Sequence, residues 1–177
     1  FLFLNGLGTE TWDGFWMFMT TTRNSAPLYL LLLYLTYRHF GWKKTGIVLV
    51  AIALLITCTD QLSNFFKYGV GRLRPCHDPE VSGVMRLVKS YCGGQFGYFS
   101  AHAANSFGPA IFLTVLFRNK VKYISQVLII WACFVAYSRI YIGVHYPLDV
   151  LTGALVGSLF GWLFAKLAIF AFQKIGT

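Results

Sequence analysis

Three short stretches of the chain hold residues that could bind an anion and react with it. In residues 67–75, KYGVGRLRP, Lys67 and Arg74 lie seven apart. Gly69 and Gly71 weaken any helix there, and Pro75 holds Arg74 toward extended geometry, so both cationic heads can turn inward. Interfacial cations also snorkel without binding anything; that reading is adopted for Arg72, and not for Lys67 or Arg74. In residues 98–105, YFSAHAAN, Ser100 suits a helix N-cap. The amides of residues 101–103, beginning with Ala101, would then face an anion at the helix start. His102 stands in that first turn. A lone Ser-x-His is weak, and a satisfied interfacial histidine fits it as well. In residues 138–149, SRIYIGVHYPLD, Arg139 and His145 are six apart, with Gly143 between them to allow a tight turn. Asp149 follows His145 by four. Its carboxylate can cap the next helix and can accept the His145 Nδ1 proton, leaving Nε2 as a nucleophile; the two roles are compatible.

The elements that must position these residues are membrane helices. Of the 177 residues, 56% are hydrophobic and 12% charged, against about a quarter charged in soluble domains. The apolar residues come in blocks long enough to cross a bilayer as helix. Five spans are expected, over residues 26–40, 45–66, about 101–117, 123–141 and 149–173. The fold class is therefore an all-α polytopic membrane bundle with one domain over residues 1–177. Residues 1–25 are expected to lie at the interface, anchored by Trp12, Phe15, Trp16 and Phe18; an amphipathic helix packed on the bundle fits them equally. The 67–100 loop carries part of the site.

Charge then orients the bundle. Arg38, Lys43 and Lys44 follow the first span, Arg118, Lys120 and Lys122 the third, and Lys174 the last. Five spans put all three clusters on one side, the cytoplasm by the positive-inside rule. The reactive residues then face the extracytoplasmic side. An odd span count places Phe1 outside, which implies a span upstream of it. Net charge is +9, but no basic run interleaved with aromatics suggests a nucleic-acid face. A charge at the centre of a membrane helix costs about 2.5–3.5 kcal/mol on insertion scales and needs a partner. With six acidic residues in the chain, the partner expected is an anion from outside it. Arg86 and Lys89, in the 76–99 loop, could touch head groups; solvated surface charge is the reading preferred. Cys58 and Cys133 read as small buried hydrophobes within apolar blocks. Cys76 and Cys92 flank the polar loop on the oxidising side, where a disulfide persists, two free thiols being the alternative. No clustered Cys/His ligand set indicates a metal.

Taken together, the three stretches resemble the signature of the type 2 phosphatidic acid phosphatase family: Lys-x6-Arg-Pro, Pro-Ser-Gly-His, and Ser-Arg-x5-His-x3-Asp. Lys67 to Arg74-Pro75 matches the first completely, and Ser138-Arg139 to His145 and Asp149 matches the third. The second keeps Ser100 and His102 but has Phe99 for Pro and Ala101 for Gly. The resemblance implies that His145 attacks phosphorus in line and becomes a phosphohistidine, with Asp149 orienting it. It implies that His102 protonates the leaving oxygen and later activates water. Lys67, Arg74 and Arg139 would hold the phosphoryl oxygens, with Ser100 and nearby amides, that of Ala101 included, completing the cradle. Three cations can balance the transition-state charge, so neither a divalent metal nor a cofactor is called for. Ala101 adds a Cβ that resists positive φ, and Phe99 must replace a stiff proline by packing; neither touches a proton-transfer group, and activity is expected to survive.

The activity implied is removal of a terminal phosphate from a lipid at a bacterial inner membrane. The candidate substrates are undecaprenyl diphosphate, phosphatidic acid, phosphatidylglycerol phosphate and lipid A phosphates, with polyprenyl diphosphate placed first. The competing classes are a phosphotransferase that passes the group to a lipid or sugar hydroxyl, and a non-catalytic lipid-phosphate binder. The partners expected are the bilayer and a phosphorylated lipid, and no nucleic acid.

Overall fold

The computed structural model describes residues 1–88 and 92–175. Its elements are α-helices: α1 (Leu2–Gly6), α2 (Glu10–Thr20), α3 (Ala26–Val70), α4 (Ala101–Phe117), α5 (Ile124–Tyr141) and α6 (Pro147–Ile175). Among the described residues, extended pairing is limited to one antiparallel bridge, Leu73 to Phe96.

At 1.5 Å per residue a straight helix as long as α3 would be about twice as long as a bilayer core is thick. It is broken at Gly41, where φ is 73° and ψ 171°, a region reserved for glycine. Leu32 from one arm and Val48 from the other are buried in one cluster, so the chain reverses there. The first two expected spans are thus the arms of α3, the second running on to Val70. Gly71, at φ 64°, ends it by donating its N–H to the Lys67 carbonyl. The remaining three spans fall within a residue or two of α4, α5 and α6.

The outward faces of these helices carry Leu30, Leu54, Leu155, Leu159, Leu163 and Phe170, all exposed. Such a belt suits hydrocarbon and not water. Cys58 and Cys133 belong to it: both are exposed, contrary to the expectation of burial, because hydrophobic blocks in a bilayer need not face inward. Lys44 lies 5.6 Å from the Phe172 ring and Lys120 5.2 Å from the Phe40 ring. The basic turns and the C-terminal end of α6 therefore gather at one end of the bundle.

The tightest packing is between α4 and α6. Gly153, Gly157 and Gly161 recur every four residues on α6 and meet the backbone at Ser100, Ala104 and Gly108 of α4. A Cβ on any of the three would stand well inside contact distance of the facing carbonyl oxygen. Small residues at this spacing let membrane helices approach to backbone contact, where dispersion replaces the absent hydrophobic drive.

The segment 1–25 is tied to the bundle by specific polar contacts. Asn5 is fully buried, and its Nδ2 donates to the carbonyls of Arg86 (2.9 Å), Ile140 (3.1 Å) and Tyr141 (3.0 Å). Its Oδ1 accepts the Arg86 N–H at 2.8 Å. The Arg86 guanidinium pairs with Asp13 and lies 5.6 Å from the Tyr141 ring. Arg86 is thus a strap between α2 and the outer loop, and not the solvated charge expected; Lys89 lies outside the described residues.

Gly157→Ala should force α4 and α6 apart, since the obstacle is backbone. Overpacking of this kind destabilises by about 1–3 kcal/mol. The expected result is a lower melting temperature in detergent together with reduced turnover. Leu155→Ala, on the lipid-facing side, should change neither, and an unaffected Gly157→Ala would contradict the close approach.

Candidate active site

Four helix termini converge opposite the basic end. Val70 ends α3 and Tyr141 ends α5, while α4 and α6 begin there at Ala101 and Pro147. Between them lies a cavity of about 280 Å³ lined by Lys67, Arg74, Ala101, His102, Arg139 and His145, with Cys92, Gly93 and Val144. Six of the eight expected reacting or phosphate-holding residues thus share one wall. The two imidazoles face the same space.

Asp149 stands behind His145. It is completely buried, and its Oδ2 lies 3.3 Å from His145 Nδ1. The same oxygen accepts the Tyr146 N–H at 2.8 Å, so Asp149 reaches back one turn to cap α6 while orienting the ring. Both contacts foreseen for it, to its own helix end and to His145 Nδ1, are present. Gly143, at φ 83°, makes the turn that returns the chain from Arg139 to His145. Burial pushes the His145 imidazole down; the hydrogen bond to Asp149 opposes this, and the Arg139 and Arg74 cations add to the lowering, leaving it at about 4. A histidine so placed is neutral at pH 7, with Nε2 unprotonated once Nδ1 donates to Asp149.

Ser100 is the remaining expected residue. It is fully buried and its Oγ accepts the Ala103 N–H at 3.4 Å, which makes it the N-cap of α4. It is not on the cavity wall. Its contribution is to aim the free amides of the first turn, Ala101 included, at the cavity. The departures from the family pattern are accommodated. Ala101 is the first residue of α4, with helical backbone and no positive φ, so the extra Cβ meets no conformational barrier. Phe99 is buried, packs 5.8 Å from the Phe66 ring and has its carbonyl bound by Ser63 Oγ at 2.9 Å.

Arg74 is held by backbone and Arg139 by a side chain of α2. Arg74 Nε donates to the Phe96 carbonyl at 3.2 Å and Nη1 to that of Cys92 at 3.0 Å. Cys92 is disulfide-bonded to Cys76, with Cα atoms 6.2 Å apart. Arg139 is buried; Nη1 donates to Thr20 Oγ1 at the end of α2, while its buried Nε has no hydrogen-bond partner among the described residues. A buried donor left open is a seat for an acceptor from outside.

His102 has a second neighbourhood. It also lines an apolar cavity of about 360 Å³ whose walls include Tyr29, Leu32, Val48, Ile52, Leu113 and Trp131. The imidazole thus stands at the seam between a cationic pocket and a hydrocarbon-like one.

Sequence reasoning missed two contributors. Arg72, read as a snorkelling cation, pairs with Asp149 Oδ1; its spacing gave no hint of this, though an arginine two before Arg-Pro could have been weighed as a partner for the buried carboxylate. Gly97 is the other: a Cβ there would lie 3.1 Å from Arg74 Cγ and 3.3 Å from Asp149 Oδ2.

An integral membrane bundle that gathers two histidines and three cations around one cavity suits a membrane enzyme that handles an anionic group such as phosphate. The family model described as the PAP2 superfamily matches residues 44–172, and the chain belongs to that family. It is 43% identical over 170 residues to the lipid A 4'-phosphatase of Bacteroides thetaiotaomicron, covering 94% of this chain and 74% of that protein. It is 33% identical to the lipid A 4'-phosphatase of Porphyromonas gingivalis, covering 97% and 72%. Among solved structures it is similar to Aquifex aeolicus LpxE, with TM-score 0.67 and 27% identity over 93% of this chain and 91% of that one.

The lowered His145 ionisation can be read by NMR of histidine-labelled protein in detergent. One imidazole, identified by its loss in His145→Ala, should change charge near pH 4, compared with an ordinary 6.5. A midpoint above 6 would mean that His145 is not buried among cations.

Proposed function

We propose that this protein is a lipid phosphatase that removes a phosphate from lipid A or a closely similar acylated phosphoglycolipid, through a phosphohistidine on His145. The observation that carries the lipid part is the position of His102, on the wall of the cationic pocket and of the apolar cavity at once. A substrate with its phosphate among Lys67, Arg74 and Arg139 would have its leaving oxygen at His102 and its hydrocarbon beyond. The relatives named lipid A 4'-phosphatase move that class ahead of polyprenyl diphosphate, which the sequence alone put first.

In the proposed reaction His145 Nε2 attacks phosphorus in line. The developing imidazolium charge is balanced by Asp149 through Nδ1–H. The three cations and the first amides of α4 stabilise charge on the equatorial oxygens. His102 gives its proton to the leaving oxygen of the lipid, then takes one from the water that hydrolyses the phosphohistidine. General acid–base assistance of this kind contributes about 10²–10⁴ in rate. The reaction needs no divalent metal, because the fixed cations supply the positive charge. With the basic turns at the far end, the positive-inside rule puts the site on the extracytoplasmic face of a bacterial inner membrane. The disulfide beside the site suits that oxidising side.

The test is phosphate release in detergent, with chelator and no added acceptor, from bis-phosphorylated lipid A, phosphatidic acid, phosphatidylglycerol phosphate and undecaprenyl diphosphate. Lipid A should be hydrolysed fastest and the chelator should have no effect. His145→Ala should lower turnover by at least about 10³-fold while still binding inorganic phosphate. Unchanged hydrolysis by that variant would remove His145 as nucleophile, and release dependent on an added alcohol would favour a phosphotransferase.

A further inference from the structure

Arg72 is the one cation at the site end whose head is turned away from the cavity toward Asp149, among the described residues that the sequence singled out there. It does not line the cationic pocket, which is walled by Lys67, Arg74 and Arg139. Its guanidinium pairs with Asp149 Oδ1 while Oδ2 of the same carboxylate serves His145 Nδ1 and the Tyr146 N–H. The two oxygens are therefore divided between a cation and the nucleophile. Arg72 is itself clamped: its guanidinium carbon lies 4.8 Å from the Tyr98 ring centre and 5.6 Å from that of Tyr146. Tyr146 is held in turn by donating to Asp78 Oδ2 at 2.6 Å, and the Arg72 carbonyl accepts the Gly97 N–H at 2.9 Å.

We propose that Arg72 is a positioning residue for the nucleophile, acting through Asp149 to fix the orientation and charge of the His145 ring; this rests on the phosphohistidine reading above. The chemistry follows from the burial of Asp149. A carboxylate with no exposure and no cation is strongly disfavoured and takes up a proton. A protonated Asp149 could donate to Nδ1, which would leave Nε2 carrying the hydrogen and unable to attack. The guanidinium keeps Asp149 an acceptor, and the planar fork stacked between two rings holds it in one rotamer. As phosphorus bonds to Nε2, the ring becomes cationic and Nδ1–H remains on Asp149, so the proton never leaves the pair and charge balances across it. A lysine offers charge without the fork or the stacking.

The experiment uses the full chain in detergent, with Arg72→Gln, Arg72→Lys, Asp149→Asn and the double variant Arg72→Gln/Asp149→Asn. Phosphate release from bis-phosphorylated lipid A gives kcat and KM, and a denaturing alkaline quench gives the phosphohistidine level. Carboxylates that orient metal-bound histidines are worth about 10- to 100-fold in activity, and an effect of that order is expected for a residue acting through Asp149. Arg72→Gln should lower kcat and the rate of phosphoenzyme formation by that amount, with KM and inhibition by inorganic phosphate nearly unchanged. Arg72→Lys should recover part of the loss, and Arg72→Gln should add little once Asp149 is already Asn. A raised KM with unchanged kcat would make Arg72 a head-group contact and overturn the proposal, as would losses that multiply in the double variant. Should Arg72→Gln fail to fold, the same comparison of kcat with KM is made on Arg72→Lys. A wild type that forms no phosphoenzyme would remove the reading on which the proposal rests; a normal phosphoenzyme rate in Arg72→Gln would overturn Arg72 alone.

Discussion

Everything at the site depends on how closely α4 and α6 approach. The glycines at 153, 157 and 161 bring the α6 backbone against the carbonyls of Ser100, Ala104 and Gly108, and the contact begins at the level of the N-cap. The Ser100 N–H donates to the Asp149 carbonyl at 3.0 Å, joining the first residues of both helices. That single bond sets the first turn of α4, with Ala101 and His102, beside the first turn of α6, with Asp149 and the preceding His145. In a bilayer there is no hydrophobic force to pull two helices together, so side chains larger than hydrogen on this face would set the distance. With glycine, backbone sets it, and the relative placement of the two histidines inherits the stiffness of backbone.

The second constraint is electrostatic. Lys67, Arg74 and Arg139 line one cavity, and Asp149, a completely buried carboxylate nearby, is occupied by Arg72, His145 and Tyr146. The pocket thus has positive charge in excess, beside low-dielectric walls where Coulomb interactions are strong. In the proposed function an arriving phosphate supplies the negative charge that this pocket lacks. Backbone carbonyls restrain the Arg74 head, and the disulfide restrains the segment that supplies one of them. Little reorganisation is then needed when charge develops on the phosphoryl oxygens.

How far this was legible follows from what each signal encodes. Span number and position came through because a bilayer demands unbroken apolar length, and α4 to α6 carry it plainly. The candidate site residues Lys67, His102 and His145 were legible because they are expensive in a membrane and conspicuous against it, and the structure brings them to one cavity. Interactions between elements were less readable. The pairing of Arg72 with Asp149 and of Arg86 with Asp13 depends on how loops fold back, which spacing along the chain does not encode. The outward-facing Cys58 and Cys133 were misplaced because a soluble-protein rule was applied to a lipid-solvated helix. The glycine ladder was written at four-residue spacing throughout and was readable as a packing face; attention to the polar residues passed over it.

The seam at His102 supports the proposed division of labour, with His145 as nucleophile and His102 as acid. His145 is buried 2% from full enclosure, tied to Asp149, and its back is to protein; it can approach phosphorus only from the cationic side. His102 lies one turn into α4, where the cationic pocket meets the apolar cavity. In an in-line displacement the leaving oxygen departs opposite the attacking nitrogen, and for an acylated phosphoglycolipid that oxygen is a sugar hydroxyl with the acyl chains close by. A proton donor is useful only where the leaving oxygen goes. In the proposed reaction the apolar cavity takes the acylated part of the leaving group, so the boundary between the two cavities favours His102 as donor to the leaving oxygen and leaves His145 to face the phosphorus.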